Sequence, residues 1–418
     1  MSKNKADGIS AKLSHNYTPA QTGRQWFFWG ETDTVPQQCE DIANNNGIFR
    51  KVMDKLCQYV VGQGFKDKAL NDKSVKVTDP NETLLKFIRS VAKYCVFYDG
   101  AFAVQVRRDR TGKVAHLSVI DIGKLRLSQD VENPHWIYNK YRGRLLYTQS
   151  DDVYIPEYKA ERSPEAVLEM YEHQKKTYGH YYGEVYVHYL EDVGVPFYPI
   201  PRWFSSSEII YGNSSAAKAF LHKAKTQFIP SVIVSTQKLD ESRPDDNTLS
   251  DAEKFSRNLK SQLDSDEPRT MFHVAASSKD AMPQITTLDV TDLPKALVEV
   301  LSESSKLMCQ MMGVDPALIG FATEGQLGNN QQLATAEGML NELARVSYRL
   351  PMMDALKPLL EAIGITGDLE IEDVRMYSYI PDNLMEVLSV DEKRKLLGYE
   401  PLPKTTPQTE PEPVTNPQ

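Results

Sequence analysis

The chain has 418 residues, a formal net charge of -9, and is 41% hydrophobic and 25% charged. That is too long for one simple core and divides into about two to four substructures. No run approaches the ~18 apolar residues of a membrane span, and the acidic balance argues against an affinity built on neutralising DNA phosphates, though not against letting DNA slide past.

Residues 1–26 lack the apolar segment of a signal peptide and read as a disordered arm. Helical spacing starts near Thr34 with Val35, Ile42, Phe49, Val52, Leu56 and Val60, is interrupted near Asn44–Gly47, and stops at Gly62–Gly64. A second helix is predicted over about Glu82–Tyr98. From Ala101 to Val195 the pattern is strand-rich: AFAVQVRRD and KVAHLSVIDI form a hairpin through Arg110–Gly112, and RLLYTQ, DVYIPEY and GEVYVHYL follow. The Pro-rich stretch 195–204 marks a boundary, after which Ser205 and Glu208 have capping-box spacing for a helix reaching about Gln227, weakened by Gly212. FIPSVIVST, TMFHVAAS and PQITTLDV read as strands, and Ser250 with Glu253 as a second capping box. Thr291 or Asp292 caps a helix with Pro294 in its first turn and apolar positions Leu293, Leu297, Val300, Leu301, Met308 and Met311.

That helix closes at Gly313. The loop beyond it, Thr323–Gln332, holds two glycines, two asparagines and three glutamines, with one carboxylate, Glu324, and no Lys or Arg. Its polar side chains suit a surface that touches something without gripping it. The next helix carries one clean stripe, Leu333, Ala336, Leu340, Leu343, Val346 and Leu350, which Pro351 should kink or break. LEIEDVRMYSY reads as a short strand, NLMEVLSVDEKRKLLGY as a helix, and the tail from Pro401 as disordered.

Residues that suggest chemistry read more simply as structure. Val61-Gly-Gln-Gly64 is half a dinucleotide fingerprint and follows a helix rather than a strand, so a helix-ending glycine pair is favoured. His180 and His188 lack metal-ligand spacing. Ser205–Ser207 lack a nucleophile-elbow context. The pairs Asp151-Asp152, Asp245-Asp246 and Glu372-Asp373 read as solvated turns, and Arg107-Arg108, Arg110, Lys223 and Lys225 as solvated cations. Cys39, Cys57, Cys95 and Cys309 have no CxxC spacing and read as reduced, mostly buried thiols of a cytosolic protein. No catalytic residue, cofactor site or metal site is expected.

Taken in order, several stretches resemble tailed-phage portal proteins, the head-to-tail connector family. They are QYVVGQGF, SVAKYCVFYDGAFAVQVRRDRTGKVAHLSVID, PFYPIPRW with FLHKAKTQFIPSVIVS, SSKLMCQMMGVDPALIGFATEGQLGNNQQL, and LSVDEKRKLLGYEPLP with Asp391, Glu392, Arg394, Gly398 and Pro401 in matching places. The likeness spans about residues 35–403 and rests on shared order, since each motif alone is degenerate.

The resemblance implies an elongated α+β subunit that assembles into a ring of about twelve copies at one capsid vertex of a virion, with double-stranded DNA passing through it. It implies a disordered arm at 1–26, a wing at 27–204, a stem helix at 205–228, a clip at 229–291, a second stem helix and connector at 292–320, a tunnel loop at 321–332, a kinked wing helix at 333–363, a small crown at 364–403 and a disordered tail at 404–418. Thr323, Glu324, Gln326, Asn329, Asn330, Gln331 and Gln332 become channel residues, Pro351 the kink, and Lys306 and Arg345 isolated channel cations. Its partners would be further copies of itself, terminase, major capsid and scaffold proteins, and a neck or tail adaptor, with no membrane. The alternatives are another virion structural protein, such as an adaptor or scaffold, or an unrecognised nucleic-acid enzyme.

Overall fold

The computed structural model describes residues 25–225 except 31, 73, 79–81, 131 and 190–196, and then 232–235, 250, 253–254, 257, 284–287, 293–321, 330–375 and 389–396.

Two helices that meet at a sharp corner start the core: α1 (Val35–Asn45) and α2 (Gly47–Val61). The break falls at Asn46, whose extended backbone cannot continue α1 and whose side-chain oxygen accepts the Phe49 amide at 2.9 Å. Residues 49, 52, 53, 56, 59 and 60 of α2 are all buried, the three- and four-residue step of one helix face. Gly62 ends α2 with φ +61°, and its amide returns to the Gln58 carbonyl. A Cβ there would sit 2.2 Å from the Glu372 carbonyl, so the glycine pair is chain punctuation. A short hairpin, β1 (Lys76–Thr78) and β2 (Glu82–Thr83), leads into α3 (Leu84–Phe97), which buries Phe87, Ile88, Val91 and Cys95 beside α2.

Two three-stranded antiparallel sheets follow. The first has the order β4 (Val114–Ile120), β3 (Phe102–Arg108), β8 (Glu184–His188), and its central β3 is buried on both faces through Phe102–Val104. The second has the order β5 (Leu125–Leu127), β6 (His135–Tyr138), β7 (Val153–Pro156). RLLYTQ is not a strand. Its residues form turns, with Leu145 and Leu146 fully exposed, because LRL and HWIY occupy the ladder positions instead. Between β7 and β8 lies α4 (Pro164–Tyr178), where a strand-rich stretch was expected; Ser163 caps it and Pro164 starts it.

Two charges that read as solvated, Arg108 and Asp152, turn out to be interior, and Arg126 is buried as well. Arg108 is buried against Glu184 at 2.6 Å, with Arg162 on the other carboxylate oxygen. Asp152 is buried and receives Asn139 at 2.8 Å and Arg142 at 3.2 Å. Arg126, fully buried, pairs with Asp33 beneath Trp29. Each survives burial because its donors and acceptors are matched.

Further helices with described bounds are α5 (Ser207–Lys225), α6 (Leu293–Met311), α7 (Asn330–Ala344), α8 (Leu350–Ala362) and α9 (Val390–Leu396). Ser205 does not cap α5: it lies in a short 3-10 turn, Arg202–Ser206, that runs into the helix, and its hydroxyl donates to the Arg202 carbonyl at 2.7 Å. Ser250 and Glu253 do make the reciprocal capping bonds, at 2.9 and 3.2 Å. Strands β9 (Val232–Ser235) and β10 (Gln284–Thr287) pair antiparallel, whereas TMFHVAAS lies outside the described residues.

Pro351 neither breaks nor ends its helix. Helical backbone runs from Asn330 to Ala362, and the accommodation is one π-turn, Arg345–Arg349, just before the proline. The wider turn, with the Leu350 amide bonded five residues back to Arg345, absorbs the proline's missing donor and ring bulk. LEIEDV is likewise not a ladder strand. It is an extended segment stitched to the Gly62–Lys66 turn by Gln63 N to Glu372 O at 2.9 Å, Lys66 N to Glu370 O at 2.8 Å and Glu372 N to Gly64 O at 2.7 Å. Ile365, Ile371 and Val374, in the part expected as a crown, are buried in the same core as α2.

Candidate functional site

The first element of the site is the helix pair α5 and α6. Asn213, early in α5, donates to Ser304 Oγ at 2.7 Å, Leu301 O at 3.3 Å and Ser305 Oγ at 3.3 Å in the later half of α6. The chain leaves α5 for β9 and returns to α6 from β10, which pairs antiparallel with β9, so the two helices run antiparallel. Asn46, at the head of α2, donates to Asn213 Oδ1 at 3.0 Å and to the Ile210 carbonyl at 3.2 Å. Two asparagines thus root the pair in the core, each buried with its amide satisfied. The pair also exposes Leu221, Val298, Val300 and Leu307.

The second element is the root of the polar loop. Met312 and Gly313 close α6, with Val314 N bonded to Cys309 O at 2.9 Å. Gly313 turns the chain with φ +66°, a backbone region that favours glycine, and the Leu343 side chain of α7 packs against it. Asp315 caps a 3-10 turn, Pro316–Ile319, that Lys51 of α2 holds through the Ile319 carbonyl at 2.8 Å. On the far side of the loop, Glu337 of α7 accepts from Tyr59 of α2 at 3.3 Å. Both feet of the loop therefore stand on α2. A cleft of about 350 Å³ lies between them, lined by Asp315, Ala317, Gln331, Gln332, Leu333 and Met339.

Thr323, Glu324, Gln326 and Asn329 lie outside the described residues. Asn330, Gln331 and Gln332 were expected in the loop but form the first turn of α7, with Gln331 and Gln332 exposed. The helix thus starts three residues before Leu333, where its apolar stripe begins, because uncharged polar residues can occupy a solvated first turn.

The two cations expected to be isolated are not. Lys306 pairs with Glu303 at 2.7 Å on the same face of α6, and Arg345 with Glu342 at 2.7 Å on α7. The Arg345 contact holds the Glu342 carboxyl below its usual value, and the Glu342 carboxylate holds Arg345 above its own. The signal was legible, since both acids stand three residues before their cations.

One functional candidate was missed altogether. Arg349, buried in the π-turn, donates through Nε to the Tyr59 and Val60 carbonyls at 3.1 and 3.0 Å and through Nη1 to Asp373. It caps the end of α2 with a positive charge, where the helix dipole favours one, and holds the 369–375 segment in place. Asn341 adds a paired bond to Val374, donating at 2.8 Å and accepting at 3.2 Å.

Among the described residues no group of three or more His, Cys, Asp or Glu is placed to hold a metal, and no helix is long and apolar enough to cross a membrane. His180 stacks edge-on against Tyr182, and burial lowers the His188 pKa. Cys39, Cys95 and Cys309 are buried free thiols, and Cys57 is half-buried.

No family model matches the chain, and no curated protein does. Solved structures that are similar to it include a chain of the virion of a native gene transfer agent particle, at 13% identity over 91% of this chain and 96% of that one, TM-score 0.49. Another belongs to the neck of the native gene transfer agent particle computed with C12 symmetry, at 14% identity over 88% and 94%, TM-score 0.42. A third is an HK97 family phage portal protein from Corynebacterium diphtheriae, at 11% identity over 84% and 97%, TM-score 0.40.

Proposed function

We propose that this chain is the subunit of a portal-type ring at one capsid vertex, through which double-stranded DNA is packaged and ejected. One observation supports this above the rest. An antiparallel helix pair is rooted in the core by Asn46 and Asn213 and closed at its far end by a strand pair, and a loop without Lys or Arg springs from the same root. The ordered sequence landmarks support the same assignment.

The physics of a sliding polyanion agrees with it. Every ion pair made to a phosphate has to break at the next step of movement, so a channel gains from polar groups that bond briefly and from few strong cations. Thr323, Gln326 and Asn329 would offer such groups, and Asn330, Gln331 and Gln332 would extend them along the first turn of α7. Glu324 and the net charge of -9 per copy would add repulsion. Lys306 and Arg345, each paired with its own glutamate, would present only a weak net pull. On this assignment residues 229–291 form the clip, where a separate terminase motor docks and a neck or tail adaptor later takes its place. The 27–204 wing meets capsid and scaffold proteins. The chain itself carries no catalytic step and no cofactor.

The test is assembly and position. Native mass spectrometry should find rings of roughly half a megadalton for about twelve copies of 47.3 kDa, and labelled protein should mark one vertex per particle. Deleting Thr323–Asn329 should leave rings intact and impair DNA packaging or retention. Monomers and dimers alone at every salt concentration, with no signal at a vertex, would overturn the assignment. Loss of rings in the deletion would make the loop an assembly element instead.

A further inference from the structure

The open side of α6 presents one stripe to solvent. Ala296, Val300, Glu303 and Leu307 recur at four-, three- and four-residue steps, with Val300 50% and Leu307 46% exposed. The opposite face, Ser305, Met308 and Cys309, is buried. The open side of α5 is different in kind. Gly212, Ser215, Lys218 and Ala219 are exposed there, turned away from the buried Asn213. Gly212 has ordinary helical backbone, and a Cβ on it would meet nothing within 4 Å. Neither a turn nor a close approach inside the chain therefore accounts for a glycine, which weakens a helix interior.

Charge connects the two faces. Lys218 on α5 and Glu299 beside the α6 stripe are each without an ion-pair partner among the described residues. They also stand level. Asn213 is opposite Leu301, Ser304 and Ser305, and the helices are antiparallel, so five residues further along α5 Lys218 comes alongside roughly residue 298 of α6. Rotation about an axis along the helix pair keeps every copy at the same height. In a ring so arranged, Lys218 of one copy and Glu299 of the next meet at one level.

We propose that the α6 stripe of one copy packs on the open face of α5 of the next, with Val300 and Leu307 entering the shallow surface left by Gly212 and Ser215, and Glu299 pairing with Lys218. The contact is heterologous, so it propagates head to tail, and with every copy at one height its repetition closes as a ring rather than rising into a filament. It rests on the ring assignment above and names the surfaces that build it.

The test uses the full chain and native mass spectrometry across a concentration series. K218E or E299K alone should raise the concentration needed for assembly about tenfold or more, because each puts like charges together. The K218E/E299K double variant should return assembly to the wild-type range. G212L should block assembly while the helical circular dichroism of the monomer is unchanged. Single charge variants that assemble as the wild type does, a double variant that stays defective, or normal rings from G212L would each overturn the interface. A wild-type chain that never assembles, alone or in particles, would instead overturn the ring assignment.

Discussion

Arg349→Ala tests whether the buried guanidinium of the π-turn is the fastening of the fold. Arg349 is 3% exposed and donates to two carbonyls at the end of α2 and to Asp373, whose side chain is 46% exposed. Removing it strands the Tyr59 and Val60 carbonyls in the core, at about 1–3 kcal/mol for a buried group left unsatisfied, and removes a favourable charge at the helix end, about 0.3–1 kcal/mol. Asp373 is not stranded, because water reaches it. With two carbonyls stranded, the expected loss is about 2–7 kcal/mol for Arg349→Ala. Arg349→Lys keeps the charge but loses the fork and should cost about 1–2 kcal/mol. Asp373→Asn, which leaves the carbonyl bonds intact, should cost no more than about 1 kcal/mol. Urea unfolding followed by circular dichroism measures all three, and hydrogen exchange should show faster opening of 369–375 in Arg349→Ala than in Asp373→Asn. The reasoning fails if Asp373→Asn costs as much as Arg349→Ala, since the ion pair would then outweigh the helix cap.

The Asn node gives a second expectation. Asn213→Ala removes the bonds to Ser304 and from Asn46, but Asn46 keeps Ile210 O and Ser214 Oγ and Ser304 keeps Val300 O, so the loss should be about 1–2 kcal/mol in the same unfolding assay. Gly62→Ala combines a backbone region reserved for glycine, about 1–3 kcal/mol, with a Cβ 2.2 Å from the Glu372 carbonyl, and should free 369–375 to proteolysis. Burial pushes the Cys57 thiol up to about 11, against a downward pull from Lys93, so thiol-reagent labelling of the native chain should be slow at neutral pH and climb until about pH 11. Burial, opposed by Lys124 and helped by Glu40, holds the Asp121 carboxyl above its ordinary value. A raised carboxyl binds its proton more tightly in the folded state, so its stabilisation is present in acid and lost as pH rises through the native value. Asp121→Asn should therefore gain stability relative to wild type on going from about pH 4 to about pH 7, and an unchanged difference would refute the assignment.

Helices with a single apolar stripe were legible because their spacing is written locally: α2 and α3 bury the face that their sequence presents, whereas the stripes expected for α6 and α7 are buried only in part, with Val300, Val346 and Leu350 exposed. Breaks were legible where one residue does the work, as at Asn46 and Gly62. The failures share a cause. RLLYTQ has strand-like residues, but a strand needs a partner, and the ladder places were taken by LRL and HWIY. Arg108 and Asp152 look like surface charges until Glu184 and Arg142, distant or in another turn, fold against them.

Local chemistry thus determined α2 and α3, the Ser250–Glu253 capping box, the shortage of cations in the loop and the order of the landmarks, since each depends on neighbours a few residues apart. The effect of Pro351 and the role of Arg349 lay with geometry that a residue alone does not carry. A proline can be met by a break or by a wider turn, and the buried Tyr348, Arg349 and Met352 on either side of it chose the wider turn. Arg349 finds its carbonyls only when α2 and the 369–375 segment fold against the π-turn, a meeting of residues up to 290 positions apart that local spacing does not encode.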